Sequence, residues 1–139
     1  MNGSKTILLA EDDGNDVFLM QRTLQRINEP ISLQTVKTAE ETIDYLSGKN
    51  KFADRTLHPL PSLILLDIKM PGQSGFDVLK WLKRDGTLTH IPAVMVTSSK
   101  AKRDIDRARD SGASGYLVKP VELQELKHLL AAIQKVTTT

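Results

Sequence analysis

The segment Leu63-Ile64-Leu65-Leu66-Asp67-Ile68-Lys69-Met70-Pro71-Gly72 decides how this chain is read. Four apolar residues in a row suit a central strand covered on both faces, because a half-exposed strand would alternate apolar and polar residues. Met70-Pro71-Gly72 cannot continue the strand: proline lacks an amide hydrogen, and Pro-Gly favours a turn. Asp67 stands where the strand gives way to that turn, so a buried strand delivers one carboxylate to the rim of a sheet. A second apolar run, Ile7-Leu8-Leu9-Ala10, finishes in Glu11-Asp12-Asp13. Two strands that both end in acid predict one shared acidic pocket.

Working outward, strand-like runs alternate with amphipathic stretches. After the first strand, Asp13 or Asn15 can cap a helix with Val17, Met20, Leu24 and Ile27 inward, closed by Asn28-Glu29-Pro30. Ile31–Val36 reads as a second strand, with Ile31, Leu33 and Thr35 on one face. Thr38-Ala39-Glu40-Glu41 has the pattern of a capping box and opens a helix carrying Ile43 and Leu46, which stops at Gly48. Lys49–Pro61 is polar, holds two prolines and shows no period, and reads as a long surface loop. Ser62–Leu66 is the third strand, and Ser74–Arg84 a helix with Phe76, Leu79 and Leu82 inward. Ala93-Val94-Met95-Val96 is the fourth strand, ending at Thr97. Lys100–Asp110 is a highly charged helix with only Ala101, Ile105 and Ala108 to bury, closed by Ser111-Gly112. Gly115-Tyr116-Leu117-Val118 is the fifth strand, ending at Lys119-Pro120. Val121–Val136 is a last helix burying Leu123, Leu126, Leu130 and Ile133, with a frayed Thr137–Thr139 after it. The three histidines, His58, His90 and His128, have no metal-ligand spacing and read as surface or loop residues, and Trp81 reads as packing.

Composition sets bounds on this picture. The 139 residues suit one domain with a sizeable core, expected over about residues 5–136. Apolar residues at 40% and charged residues at 26% argue against disorder. The net charge of +2 is spread over both signs and argues neither for nor against nucleic acid; no stretch is basic enough for a phosphate-binding arm, and direct nucleic-acid binding is not among the expected partners. With no cysteine, disulfides, thiolate metal sites and cysteine nucleophiles are excluded, which is compatible with a reducing cytoplasm. No apolar run approaches the roughly 18 residues of a membrane helix, and residues 1–10 lack the hydrophobic region of a secretory signal.

Five strands alternating with five helices predict a doubly wound parallel sheet with helices on both faces. Ligands of such sheets sit beyond the carboxyl ends of the strands. Those ends collect Glu11, Asp12 and Asp13 from the first strand, Asp67 from the third, Thr97 from the fourth and Lys119 from the fifth. Carboxylates about 4 Å apart repel by roughly 4 kcal/mol per pair at an effective dielectric of 20, so the cluster calls for a cation or a raised pKa. Oxygen-only ligands suit Mg²⁺. An acid, a divalent ion, an ammonium and a hydroxyl together describe a site for a phosphoryl group, with an aspartate able to act as the nucleophile.

Over nearly its whole length the chain resembles the response-regulator receiver domains of two-component signalling, of the stand-alone type. The matching elements are Ile7-Leu8-Leu9-Ala10-Glu11-Asp12, Leu65-Leu66-Asp67-Ile68-Lys69-Met70-Pro71 with Gly75, Val94-Met95-Val96-Thr97-Ser98, and Gly112-Ala113-Ser114-Gly115-Tyr116-Leu117-Val118-Lys119-Pro120. The resemblance implies a flavodoxin-like fold with strand order 2-1-3-4-5. It implies that Asp67 accepts a phosphoryl group from a sensor histidine kinase or a phosphotransfer protein. It assigns a Mg²⁺ site to Glu11, Asp12, Asp67 and the backbone carbonyl of Lys69, with Asp13 as a helix cap. Lys119 would pair with a phosphoryl oxygen, and its bond to Pro120 would be cis. Thr97 would move to hydrogen-bond the phosphoryl group, and Tyr116 would turn inward as Thr97 vacates space. Ser98 is small where access to the acid is needed. A downstream protein would then be bound through the fourth helix, fifth strand and fifth helix, and homodimerisation is left open.

Three departures from the bare family pattern carry expectations. Lys69, two residues after Asp67, is expected to pair with the phosphoryl group or with Glu11 and to lengthen the phosphorylated state. The loop Lys49–Pro61 is longer than usual; it resembles the extended loop of small stand-alone receivers serving phytochrome-type and related kinases, and equally suits a harmless insertion. No output domain follows the fifth helix, so an attached enzyme or DNA-binding unit is not expected. The competing reading is an aspartyl-nucleophile phosphatase of the haloacid-dehalogenase kind. That chemistry needs a second acid two residues after the nucleophile, where this chain has Lys69. A dinucleotide-binding reading fails because no glycine-rich phosphate loop follows the first strand.

Overall fold

Strand and helix alternate along the chain in the computed structural model, which describes residues 5–137. The elements are β1 (Lys5–Ala10), α1 (Gly14–Gln25), β2 (Ile31–Val36), α2 (Ala39–Ser47), β3 (Leu63–Leu66), α3 (Gly75–Arg84), β4 (Ala93–Thr97), α4 (Lys102–Asp110), β5 (Gly115–Val118) and α5 (Leu123–Thr137). The strands form one parallel sheet in the order β2-β1-β3-β4-β5. Helix α5 carries Thr137; the expected fraying of residues 138 and 139 lies outside the described residues.

The two-residue repeat of the strands divides the core. Leu8, Ala10, Ile64, Leu66 and Met95 pack on one face of the sheet with residues of α2, α3 and α4. Ile7, Leu9, Leu63, Leu65, Val94 and Val96 pack on the other with Met20 and Leu24 of α1 and Leu126 and Leu130 of α5. All four residues of β3 are buried, as a continuous apolar run in a central strand requires. Each such side chain contributes roughly 1.5–3 kcal/mol of transfer free energy.

The helix caps follow local chemistry. The Asp13 carboxylate accepts from the amides of Asn15 and Asp16 at the start of α1. In α2 the Thr38 hydroxyl accepts from the Glu41 amide, while the Glu41 carboxylate accepts from the Lys37 amide. That second bond leads the causes holding the Glu41 carboxyl below the usual carboxylate range. Gly48 closes α2 in the left-handed conformation at φ 68°.

Some expectations about packing need correction. In α2 Leu46 is buried as expected, together with Ala39, Thr42 and Tyr45, while Ile43 is only half-buried. In α4 only Ala108 is buried; Ala101 is exposed and Ile105 is 38% exposed, because the helix begins at Lys102 and lies at the margin of the sheet over β5. Thr35 is exposed and Val36 buried at the end of β2. Nor is Lys49–Pro61 simply a surface loop. A 3₁₀ turn at Asn50–Phe52 buries Phe52, whose ring packs against Tyr45 and His58 at centroid distances of 5.1 and 5.2 Å. His58 therefore faces inward, whereas His90 and His128 are exposed. The Arg55 guanidinium donates to the carbonyls of Tyr45, Leu46 and His58 at 2.7, 2.9 and 3.1 Å, and the Tyr45 hydroxyl donates to Pro59 O at 2.8 Å.

Candidate functional site

Register brings the acids together. Ala10 is paired with Leu66 and Leu66 with Met95, so the first residues beyond β1 and β3 emerge side by side at the carboxyl edge. The Asp67 amide donates to Ala10 O at 3.1 Å and the Glu11 amide to Val36 O at 2.9 Å, which extends the ladder through both acids. Gly75 opens α3 against this edge. Its amide donates to Ile68 O, and a Cβ there would lie 2.3 Å from the Asp67 carbonyl oxygen, so only glycine allows the approach. On the far side, the Lys119 amide donates to Thr97 O at 2.8 Å, tying the end of β5 to the end of β4. The Lys119–Pro120 peptide is cis, as expected.

Lys119 is the electrostatic centre. Its Nζ lies 2.6 Å from Glu11 Oε1, 2.7 Å from Asp16 Oδ2 and 3.2 Å from Asp67 Oδ2. Burial alone would lower the Lys119 pKa, but the bonds to Asp16 and Glu11 and the charges of Asp67 and Glu11 overcome it and raise it above that of an ordinary lysine. Glu11 is pushed up as well, for a different reason. Its carboxyl is 3% exposed, and burial together with the neighbouring Asp67 charge outweighs the bonds from Lys119 and the Asp13 amide. One ammonium shared among three acids gains from all of them, while each acid has only a share of it.

Glu11, Asp12 and Asp67 each offer a carboxylate oxygen, and these oxygens lie within 4.8 Å of one another, with Asp12 facing solvent. A trio of oxygen donors at a rim, one of them open to water, fits a hard divalent cation that keeps several waters. The structure thus brings Glu11, Asp12, Asp67 and Lys119 together.

Thr97 is differently placed. It is buried at the end of β4, and its Oγ1 accepts from the Ser99 amide at 3.3 Å. The Tyr116 hydroxyl donates to Ser99 O at 2.9 Å; burial pushes its pKa up. The Lys69 side chain is exposed and makes no ion pair among the described residues, so the expected Lys69–Glu11 contact is absent here: Glu11 is taken by Lys119. Asp13 is a cap, as expected.

Asp16 was not singled out from sequence. The spacing Asp13-x-x-Asp16 was the available signal, but an acid at that position reads as a helix-start residue. Its partner Lys119 is 103 positions away.

A doubly wound α/β protein with an acid trio and a lysine at the carboxyl edge of its sheet is thereby defined. Residues 7–131 match the family model of the response regulator receiver domain. The polar-differentiation response regulator DivK of Brucella ovis is 33% identical over 120 residues, covering 86% of this chain and 88% of that protein. Among solved structures, the phosphorylated cyanobacterial phytochrome response regulator RcpA superposes with a TM-score of 0.80 at 31% identity, covering 99% of this chain and 97% of its own. The Mn²⁺-bound form of response regulator Rcp1 gives 0.76 at 29% identity, over 95% of this chain and 91% of its own. The chain belongs to the response regulator receiver domain family.

Proposed function

We propose that this receiver works as a single module over about residues 5–136 and takes a phosphoryl group on Asp67 from the phosphohistidine of a sensor kinase or phosphotransfer protein. The observation that carries this reading is the convergence on Asp67: Lys119 Nζ at 3.2 Å and two further carboxylates within 4.8 Å. A carboxylate oxygen of Asp67 forms the new P–O bond as the donor's P–N bond breaks. Glu11, Asp12, Asp67 and the carbonyl of Lys69 would hold Mg²⁺, which when bound offsets the gathering negative charge of carboxylates and phosphoryl oxygens. The Mn²⁺-bound form of Rcp1 supports a divalent cation in a related protein. Lys119 orients one phosphoryl oxygen. The exposed Lys69 ammonium covers the adduct, so Lys69→Asn shortens its lifetime.

The adduct adds about −1.5 to −2 charge and three acceptor oxygens. Thr97 Oγ1 turns from the Ser99 amide to donate to one of them, and Tyr116 moves into the space released. The α4–β5–α5 face then presents itself differently to a downstream protein or to a second copy of the chain. The module acts in the cytoplasm as a signalling unit rather than a turnover catalyst; among the described residues no helix is long and apolar enough to cross a membrane.

Incubation of the protein with acetyl phosphate and Mg²⁺ tests this. A phosphoryl mass gain is expected, located on Asp67, lost in Asp67→Asn and lost on chelation. Steady phosphate release with no adduct would instead indicate a hydrolase and overturn the reading.

A further inference from the structure

The Lys119 ammonium has three donors, and all three are already taken by Glu11, Asp16 and Asp67. Of these acids, Asp16 has no part in the proposed chemistry, yet at 2.7 Å it is closer to Lys119 than Asp67 is. The local structure prepares it for that contact. Asp16 is the third residue of α1, where an acid ordinarily turns back to the amide of the cap residue. Here that amide, of Asp13, donates to Glu11 Oε2 at 3.1 Å, so the Asp16 carboxylate is released from the back-bond and reaches across to Lys119. The Asp13 side chain meanwhile fixes the turn by accepting from the Asn15 and Asp16 amides at 2.8 and 3.2 Å. The first turn of a helix also favours a negative charge.

We propose that Asp16 is a positioning residue that holds the Lys119 ammonium on the α1 side of the site and competes for it with a phosphoryl group on Asp67. The proposal rests on the reading of Asp67 as the phosphoacceptor. When the phosphoryl group forms on Asp67, the donor now on the Asp67 carboxylate passes to a phosphoryl oxygen, and any further contact with the group draws the ammonium away from Glu11 or Asp16. Glu11, at 3% side-chain exposure, would lose its ammonium partner where water cannot take that partner's place. Asp16, at 32%, rehydrates readily and is the partner released. The contact therefore favours the unoccupied site and weakens its hold on the phosphoryl group.

The test is the affinity of the full chain for beryllofluoride, a phosphoryl mimic, with Mg²⁺ present, measured by calorimetry. Asp16→Asn is expected to bind about two- to fivefold more tightly, the scale of one partly exposed ion pair. Asp16→Glu keeps the acid and is expected to return the affinity toward that of the unaltered protein. Asp13→Asn removes a charge at the same helix end but keeps a good cap, and is expected to leave the affinity unchanged. An unchanged or weaker affinity in Asp16→Asn, or equal tightening in Asp13→Asn, overturns the competition while leaving Asp67 as acceptor. If the unaltered protein neither binds beryllofluoride nor takes a phosphoryl group from acetyl phosphate, the acceptor reading falls and this proposal with it.

Discussion

Helices α3 and α4 pack on the same face of the sheet and are held there by different forces. Helix α3 buries Gly75, Phe76, Val78, Leu79 and Leu82, whereas α4 buries only Ala108. At its start, α3 has the Asp77 carboxylate accepting from the Ser74 amide at 2.9 Å; α4 has Ala101 as its cap, with no side-chain bond. What anchors α4 is polar. Ser99 Oγ donates to Asp104 Oδ2 at 2.6 Å, the Tyr116 hydroxyl donates to Ser99 O, and the Arg107 guanidinium lies 4.2 Å from the Phe76 ring centroid. Area removed from water is non-directional and is lost only by separating the helix from the sheet. Hydrogen bonds can be exchanged one for another at little net cost. Ser99 also donates its amide to Thr97 Oγ1, so a new acceptor for that hydroxyl bears directly on the residue that fastens α4. Of the two helices, α4 is the one a small chemical event can move.

The largest expected contrast is in stability. Leu79→Ala, on α3, should cost about 2–5 kcal/mol in urea unfolding. Ile105→Ala, on α4, should stay within about 0.5 kcal/mol; a loss above 1 kcal/mol would break the contrast. Asp77→Ala should cost about 1 kcal/mol by removing the back-bond at the head of α3. Tyr116→Phe removes one partly buried hydrogen bond and should cost about 0.5–1.5 kcal/mol. Its sharper readout is amide hydrogen exchange, which should accelerate in α4 and not in α3; uniform acceleration would mean that Tyr116 supports the whole core. The smallest effect is on pH dependence. Burial raises the Tyr116 pKa, so its native phenol keeps a proton that the unfolded chain gives up near pH 10. Its contribution is complete below that pH and is lost as pH rises through the raised native value. Tyr45, the other tyrosine, is raised as well, first by burial. Tyr116→Phe should therefore flatten only part of the alkaline loss of stability, and an unaltered slope would show that Tyr116 carries none of it.

The parts of this molecule legible in sequence are those whose partners are close by or whose pattern is periodic. The run Leu63–Leu66 announced a central strand, and the acids after β1 and β3 announced a shared edge, because parallel register leaves little freedom in where a strand ends. Thr38 and Glu41 announced their cap because both bonds are local. Asp16 was overlooked because its partner arrives from the far end of the chain. His58 reads as a loop residue and Tyr45 draws no notice for a similar reason: each is covered by the other and by Phe52, and the turn that brings Phe52 and His58 inward has no periodic signature. Ile105 erred the other way, since its spacing fits a helix stripe but α4 offers that stripe little sheet to cover.

The three carbonyls gathered by Arg55 have a practical corollary. Two of them belong to the last turn of α2, so the guanidinium serves as that helix's terminal clasp although it sits in the following connection. A Cβ at Gly48 would come to 3.0 Å from it, so a side chain there would press on the clasp. Grafting a shorter connection from another receiver would leave those oxygens to water and open the nest around Phe52. Chimeras of this protein should therefore exchange residues 45–61 as one block.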